Sequence, residues 1–196
     1  LLIGTQIIAK GHHFPLLTLV GVIDADLGLA GGDLRAAERT YQLLHQVAGR
    51  AGRAQHAGKV LLQTYMPEHP VMAALCSGER QSFLAREAEA RQQHGQPPVG
   101  RLAAVILSGH NESMVANSAR TLARIARKSL PKNSDIDVLG PAPAPLSLLR
   151  GRYRYRLLIK CSRAVLPQPW LQSWLAELDA PSQVSVRVDV DPYSFL

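Results

Sequence analysis

Gln96-Pro97-Pro98-Val99-Gly100 divides this chain into two halves with different patterns. Two prolines and a glycine stop a preceding helix and suit a linker. Before it, strand and helix signals alternate. Thr18-Leu19-Val20-Gly21-Val22-Ile23 is an apolar, β-branched run of strand length, ending at Asp24 and Asp26. Gly31-Gly32-Asp33 supplies a turn and an N-cap, and a helix is predicted from about Leu34 to Ala48 with Glu38 in its early turns. Lys59-Val60-Leu61-Leu62-Gln63-Thr64 reads as another buried strand, and short helices are predicted over about 70–77 and 79–94. This rhythm predicts a parallel sheet with helices on its faces. Leu1-Leu2-Ile3-Gly4-Thr5 reads as a buried strand running into a loop. The segment is short for a whole α/β domain and does not open on Met, so a truncated lobe is expected.

After Gly100 the pattern restarts. Leu102 to Leu107 reads as a strand. Asn111 or Ser113 caps a helix over about Glu112–Lys128, with Val115, Leu122 and Ile125 on one side. Asp135 to Leu139 is a short strand and Arg152 to Lys160 a longer one. A helix from about Gln168 to Leu178 carries Trp170, Leu171, Trp174 and Leu175, and Val184 to Val190 alternates as a last strand. The order β-α-β-β-α-β predicts an α+β, ferredoxin-like domain with two helices on one face of a four-stranded sheet. Gly140-Pro141-Ala142-Pro143-Ala144-Pro145 is expected to be a stiff, extended loop between strands. The expected organisation is a lobe over 1–95, a linker over 96–100 and a second domain over 101–196.

The chain has 196 residues, enough for one or two domains with real cores. No run of about 18 apolar residues occurs, so no membrane span is expected. Cys76 and Cys161 are far apart and no C-x-x-C pair exists, which reads as two reduced thiols in a cytoplasmic protein. Residues 1–98 carry 9 Lys+Arg against 8 Asp+Glu, and residues 99–196 carry 13 against 7. The basic excess lies in the second half, which suits anionic partners such as nucleic acid or acidic peptide tails as well as it suits plain solubility.

Three segments carry candidate chemistry. In Gly4-Thr5-Gln6-Ile7-Ile8-Ala9-Lys10-Gly11-His12-His13-Phe14-Pro15 a polar loop leaves a strand end, where open α/β sheets place ligands. Thr5, Gln6 and Lys10 can reach a nucleic-acid backbone from there. Adjacent His12 and His13 diverge, so no metal site is expected. Gln46-Val47-Ala48-Gly49-Arg50-Ala51-Gly52-Arg53 ends the long helix with two Gly-Arg steps. Glycine admits a bulky anion close to the backbone and arginine matches phosphate oxygens. The run suggests an arginine finger, while alone it also fits an RGG-like RNA contact, a turn or a surface salt bridge. In Arg150-Gly151-Arg152-Tyr153-Arg154-Tyr155-Arg156, strand alternation puts Arg152, Arg154 and Arg156 on one face and both tyrosines on the other. Three neighbouring guanidinium groups favour an anion, DNA phosphate or an acidic tail, against a merely solvated face. Trp170 and Trp174 read as core packing first and base stacking second.

The first of these segments resembles motif V of superfamily-2 helicases, and Gln46 to Arg53 resembles motif VI. With Asp24-Ala25-Asp26, Asp33-Leu34-Arg35-Ala36-Ala37-Glu38-Arg39, Leu139-Gly140-Pro141-Ala142-Pro143 and Asp189-Val190-Asp191-Pro192, the whole chain resembles the PriA family of replication-restart helicases. The resemblance implies the end of a RecA-like second helicase lobe followed by the family's C-terminal domain. It implies an ATP site touched by Gln46, Gly49, Arg50 and Arg53, with Arg50 and Arg53 catalytic and Arg53 the finger, and with Gly11 coupling nucleotide to DNA. It implies DNA contacts at Thr5, Gln6, Lys10, Arg152, Arg154 and Arg156. Arg163 and Gln168 match positions expected to hold the acidic tail of single-stranded DNA-binding protein. ATP and Mg, and zinc on cysteines absent from this chain, belong to the full protein, as do forked DNA and other primosome partners. No G-x-x-x-x-G-K-[ST] occurs, so this segment alone is expected to hydrolyse nothing. The competing readings are a non-enzymatic basic binding module and another superfamily-2 translocase.

Overall fold

The structure, a computed structural model, describes residues 2–5, 17–29, 33–52, 57–177 and 179–193. The chain divides into two compact units, Leu1–Glu87 and Ala88–Leu196.

The first unit holds β1 (Leu19–Val22), α1 (Ala36–Ala48), β2 (Lys59–Leu62), α2 (Pro70–Ser77) and the start of α3 (Arg80–Gln93). β1 and β2 pair in parallel, with Leu19 opposite Lys59 and Val22 opposite Leu62. The expected N-cap of α1 is corrected. Arg35 occupies the cap position and its side chain makes no capping bond. Asp33 braces the first turn from outside, accepting the Arg35 N–H at 3.0 Å and the Arg39 guanidinium at 2.6 Å. Tyr41 and Leu44 of α1 pack with Val71, Met72 and Ala74 of α2 and Phe83 of α3. The Tyr41 and Phe83 rings stack with centroids 4.5 Å apart.

Two burial expectations for this unit are corrected. Leu2–Thr5 form no strand, and they are exposed. Alternate residues of β1 and β2 are also exposed, including Leu19 and Leu61. A parallel strand is buried only when both its faces are covered. Among the described residues, α1 and α2 build their core against one side only.

The second unit contains β3 (Gly100–Gly109), α4 (Glu112–Lys128), β4 (Ile136–Leu149), β5 (Arg152–Ser162), α5 (Pro167–Leu175) and β6 (Ser185–Val190). The sheet order is β4-β5-β3-β6 and every pairing is antiparallel. Gln96 turns the chain into it, its carbonyl accepting the Val99 and Gly100 N–H groups at 3.0 and 3.1 Å. α4 begins where Asn111 Oδ1 accepts the Met114 N–H at 3.1 Å, so Asn111 rather than Ser113 is the cap. Val115, Ala119, Leu122, Ala123 and Ala126 then line one stripe of α4 and face β3 and β5. Trp174 of α5 is fully buried in the same core, and the Trp170 indole donates to the Ser129 carbonyl at 3.0 Å. Base stacking by these tryptophans is therefore excluded for Trp174. Each large side chain buried this way contributes about 1.5–3 kcal/mol.

The expected Gly140–Pro145 loop is also corrected: the segment belongs to the 14-residue strand β4. β4 lies at the edge of the sheet, where a proline's missing donor can face away from the ladder. The price in regularity is two register shifts, between Leu139 and Ala142 and between Pro143 and Leu148. Gly140 makes the first of these possible. Its φ is +94°, and a Cβ there would stand 2.9 Å from the Arg156 carbonyl oxygen. Arg127 of α4 reaches the same corner and donates to the Val138 and Gly140 carbonyls. Arg150 and Gly151, both at positive φ, close the β4–β5 hairpin as a two-residue turn that suits strand twist.

Candidate nucleic-acid interface

β5 carries different chemistry on its two faces. Leu157, Ile159 and Cys161 point into the core beneath α4 and α5, and Tyr155 packs against it. By alternation, Arg152, Arg154, Arg156, Leu158 and Lys160 occupy the face away from the helices. Cross-strand pairs extend that face. Ser108 lies opposite Arg154 on one side and Ser185 on the other. Ile106 lies between Arg156 and Arg187 in the same way. Towards the other end, Lys160 pairs with Asp137 at 3.2 Å and Asp189 lies opposite Ala104. The face is thus basic near the hairpin and neutralised away from it.

The arginines are held in place by the sheet. Arg152 Nη2 donates to the Ser108 carbonyl and to Ser185 Oγ, each at 3.0 Å. Arg154 is only 9% exposed and donates to the Leu146 carbonyl at 3.5 Å. Among the described residues no carboxylate pairs with Arg152, Arg154 or Arg187. Strand neighbours of like charge two residues apart, about 7 Å, repel by about 2.4 kcal/mol at the effective dielectric of a protein surface. A bound anion relieves that repulsion and uses donors that neutral oxygens leave weakly engaged.

The opposite face of the hairpin end is different. Tyr153 and Tyr155 line a shallow groove of about 550 Å³ with His110, Asn111, Glu112 and Arg120. Tyr155 OH donates to Glu112 Oε1 at 3.4 Å, and His110 Nδ1 donates to the Gly151 carbonyl at 3.0 Å. The other family-like C-terminal segment has structural work: Asp191 accepts from the Leu102 N–H and pairs with Arg101, each at 3.3 Å.

The arginine run sits at the end of α1. Gly49 is the C-cap, its N–H bonded to the His45 carbonyl at 3.0 Å. Arg50 N–H bonds to the Val47 carbonyl at 3.0 Å, and Gly52 N–H reaches the Leu17 carbonyl at 3.0 Å, just before β1. Gln46 and Gly49 are exposed and Arg50 half-buried. A cation here also meets the negative end of the helix dipole. Arg53, Gln6, Lys10 and Gly11 lie outside the described residues, while Thr5 is exposed. Arg163 and Gln168 are both exposed, one following β5 and the other in the first turn of α5.

Residues 92–193 match the family described as Primosomal protein N C-terminal domain. The chain belongs to the PriA family. Replication restart protein PriA of Rickettsia felis is 49% identical over 195 residues, covering 100% of this chain and 29% of that protein. PriA of Synechocystis is 39% identical over 197 residues, covering 99% of this chain and 23% of its own length. PriA of Bacillus subtilis is 35% identical over 200 residues, covering 100% of this chain and 24% of its own length. The chain therefore spans under a third of the length of these PriA relatives and matches a C-terminal portion of the family. Among the described residues no helix is long and apolar enough to cross a membrane. Arg187 is the PriA-domain residue that sequence reasoning missed. It stands alone in the alternating Ser185–Val190 strand, and only the register across Ile106 brings it beside Arg156.

Proposed function

We propose that this chain is part of an ATP-dependent 3′–5′ DNA helicase that recognises stalled or branched forks and initiates primosome assembly in replication restart. The observation that carries this reading is the Gly-Arg run leaving the C-terminal end of α1, in a chain 49% identical to a replication restart protein. Arg53 is the finger and Arg50 its neighbour at the γ-phosphate. Gln46 and Gly49 border the same nucleotide, and Gly11 links it to the DNA strand held by Thr5, Gln6 and Lys10. An arginine delivered from a second lobe stabilises transition-state charge only when the lobes close, so hydrolysis becomes sensitive to lobe position.

In the C-terminal domain, Arg152 and Arg156 supply phosphate-facing charge for branched DNA, and buried Arg154 adds charge beneath them. Arg163 and Gln168 take the acidic tail of single-stranded DNA-binding protein, and the protein works with other primosome components in the cytoplasm. ATP and Mg are bound with residues outside this chain. Zinc, as the family resemblance implies, is held by cysteines outside this chain.

DNA-stimulated ATP hydrolysis by the full-length protein tests the reading. Arg53→Ala is expected to lower turnover about 10³-fold with DNA binding retained. Near-normal turnover removes Arg53 from catalysis and leaves a basic binding module, the reading that the charge excess of residues 99–196 would then favour.

A further inference from the structure

We propose that the face of the sheet away from the helices is a clamp for the backbone of duplex DNA, with Arg187 of β6 forming a second row beside Arg152, Arg154 and Arg156 of β5. This rests on the reading that the C-terminal domain contacts DNA, and adds which DNA and through what chemistry.

The first argument is what the face lacks. Proteins that grip single strands on a sheet present aromatic rings, because every unpaired base has a π-face to stack. Here alternation turns Tyr153 and Tyr155 to the helix side. Beside the arginines, β3 and β6 present Ile106, Ser108 and Ser185 on this face. On β3, β5 and β6, among the described residues of this face, an unpaired base finds no ring to stack on. A duplex needs none, because its bases stack on one another.

The second argument is spacing. Arg156 and Arg187 flank Ile106 in one row, two strand spacings apart. That separation is about 10 Å. It lies between the roughly 6 Å and 12 Å widths of the minor and major grooves, the distances that separate the two backbones of a duplex. A single strand offers one line of phosphates, and a duplex offers two lines this far apart. The β5 row faces one backbone and exposed Arg187 the other. Buried Arg154 adds charge beneath the surface, and Ile106 fills the middle with no hydrogen-bonding group. Contacts to phosphate alone carry no base readout, so binding is indifferent to sequence.

The third argument is polarity. Beyond the Arg156 row, Lys160 is neutralised by Asp137, and Asp189 adds a negative charge. The anion is therefore confined to the hairpin half of the face.

The test is fluorescence anisotropy with the full-length protein across a salt series, using a blunt duplex of arbitrary sequence and an oligo(dT) of equal length. Arg187→Gln is expected to weaken duplex binding about 3–10-fold and reduce the salt slope by about 1, with oligo(dT) binding unchanged. Arg187→Lys is expected to restore the slope, which separates lost charge from a damaged fold. Equal weakening on both probes, weakening on oligo(dT) alone, or no change on the duplex overturns the clamp. So does an Asp/Glu-rich peptide whose binding alone responds to Arg187→Gln, because the face then serves an acidic protein tail. The double variant Arg152→Gln/Arg156→Gln keeps the two readings apart. If it too leaves DNA binding intact, DNA contact by this face fails altogether. If it weakens binding while Arg187→Gln does not discriminate duplex from single strand, only the clamp fails.

Discussion

β1 and β5 are both rich in apolar residues, yet they end up in opposite circumstances. β5 lies inside a four-stranded sheet whose helix-side face is sealed by α4 and α5. Its unit gathers fifteen buried residues into one cluster among the described residues. Among the described residues β1 pairs with β2 alone, and the corresponding cluster has seven. Burial is thus a property of what covers a strand and not of the strand's own composition. The well-covered sheet can hold arginines rigidly on its remaining face, because the opposite face anchors every strand. The thin sheet offers loops and helix ends, where the arginine run emerges.

The comparison breaks most visibly in hydrogen exchange. Amides of β3 and β5 are expected to exchange about a thousandfold more slowly than those of β1 and β2, because opening them disrupts a full core. Equal protection in the two sheets would sink the contrast. A smaller effect sharpens the account of the second unit. Gly140→Ala forces a side chain into a positive-φ corner against the Arg156 carbonyl, and is expected to cost about 1–3 kcal/mol in chemical denaturation. A neutral result would mean that the corner relaxes. The smallest effect compares one thiol from each unit. Cys76 is exposed and Cys161 buried. Burial pushes the Cys161 thiol up, only partly offset by nearby Arg101. It therefore stays protonated at neutral pH, and its contribution to stability is lost only as pH rises through that raised value. A thiol reagent at neutral pH is expected to label Cys76 promptly and Cys161 only after unfolding. Equal labelling would contradict its burial.

Much of the second unit was legible because its signals were local. Asn111 followed by an apolar stripe marks α4, and alternation in Arg152–Cys161 marks β5 with its two faces. The second half of β4 was not legible. Three prolines normally announce a loop, and only the strand's edge position admits them. The burial of β1 and β2 was misread for the same kind of reason, since no residue records whether a helix will cover it. Arg187 carried no signal until register placed it across Ile106 from Arg156. Asp33 looked like a cap by type and spacing, but its carboxylate reaches the Arg35 and Arg39 donors from one step further out.

The prolines of β4 have a last consequence. An unprotected edge strand is a template on which another chain can add itself, rung by rung. Pro141, Pro143 and Pro145 have no N–H to offer an added strand along this segment. An incoming strand would meet gaps where it needs donors, so the sheet is discouraged from growing sideways into a neighbour. The sheet is left to meet other molecules face-on.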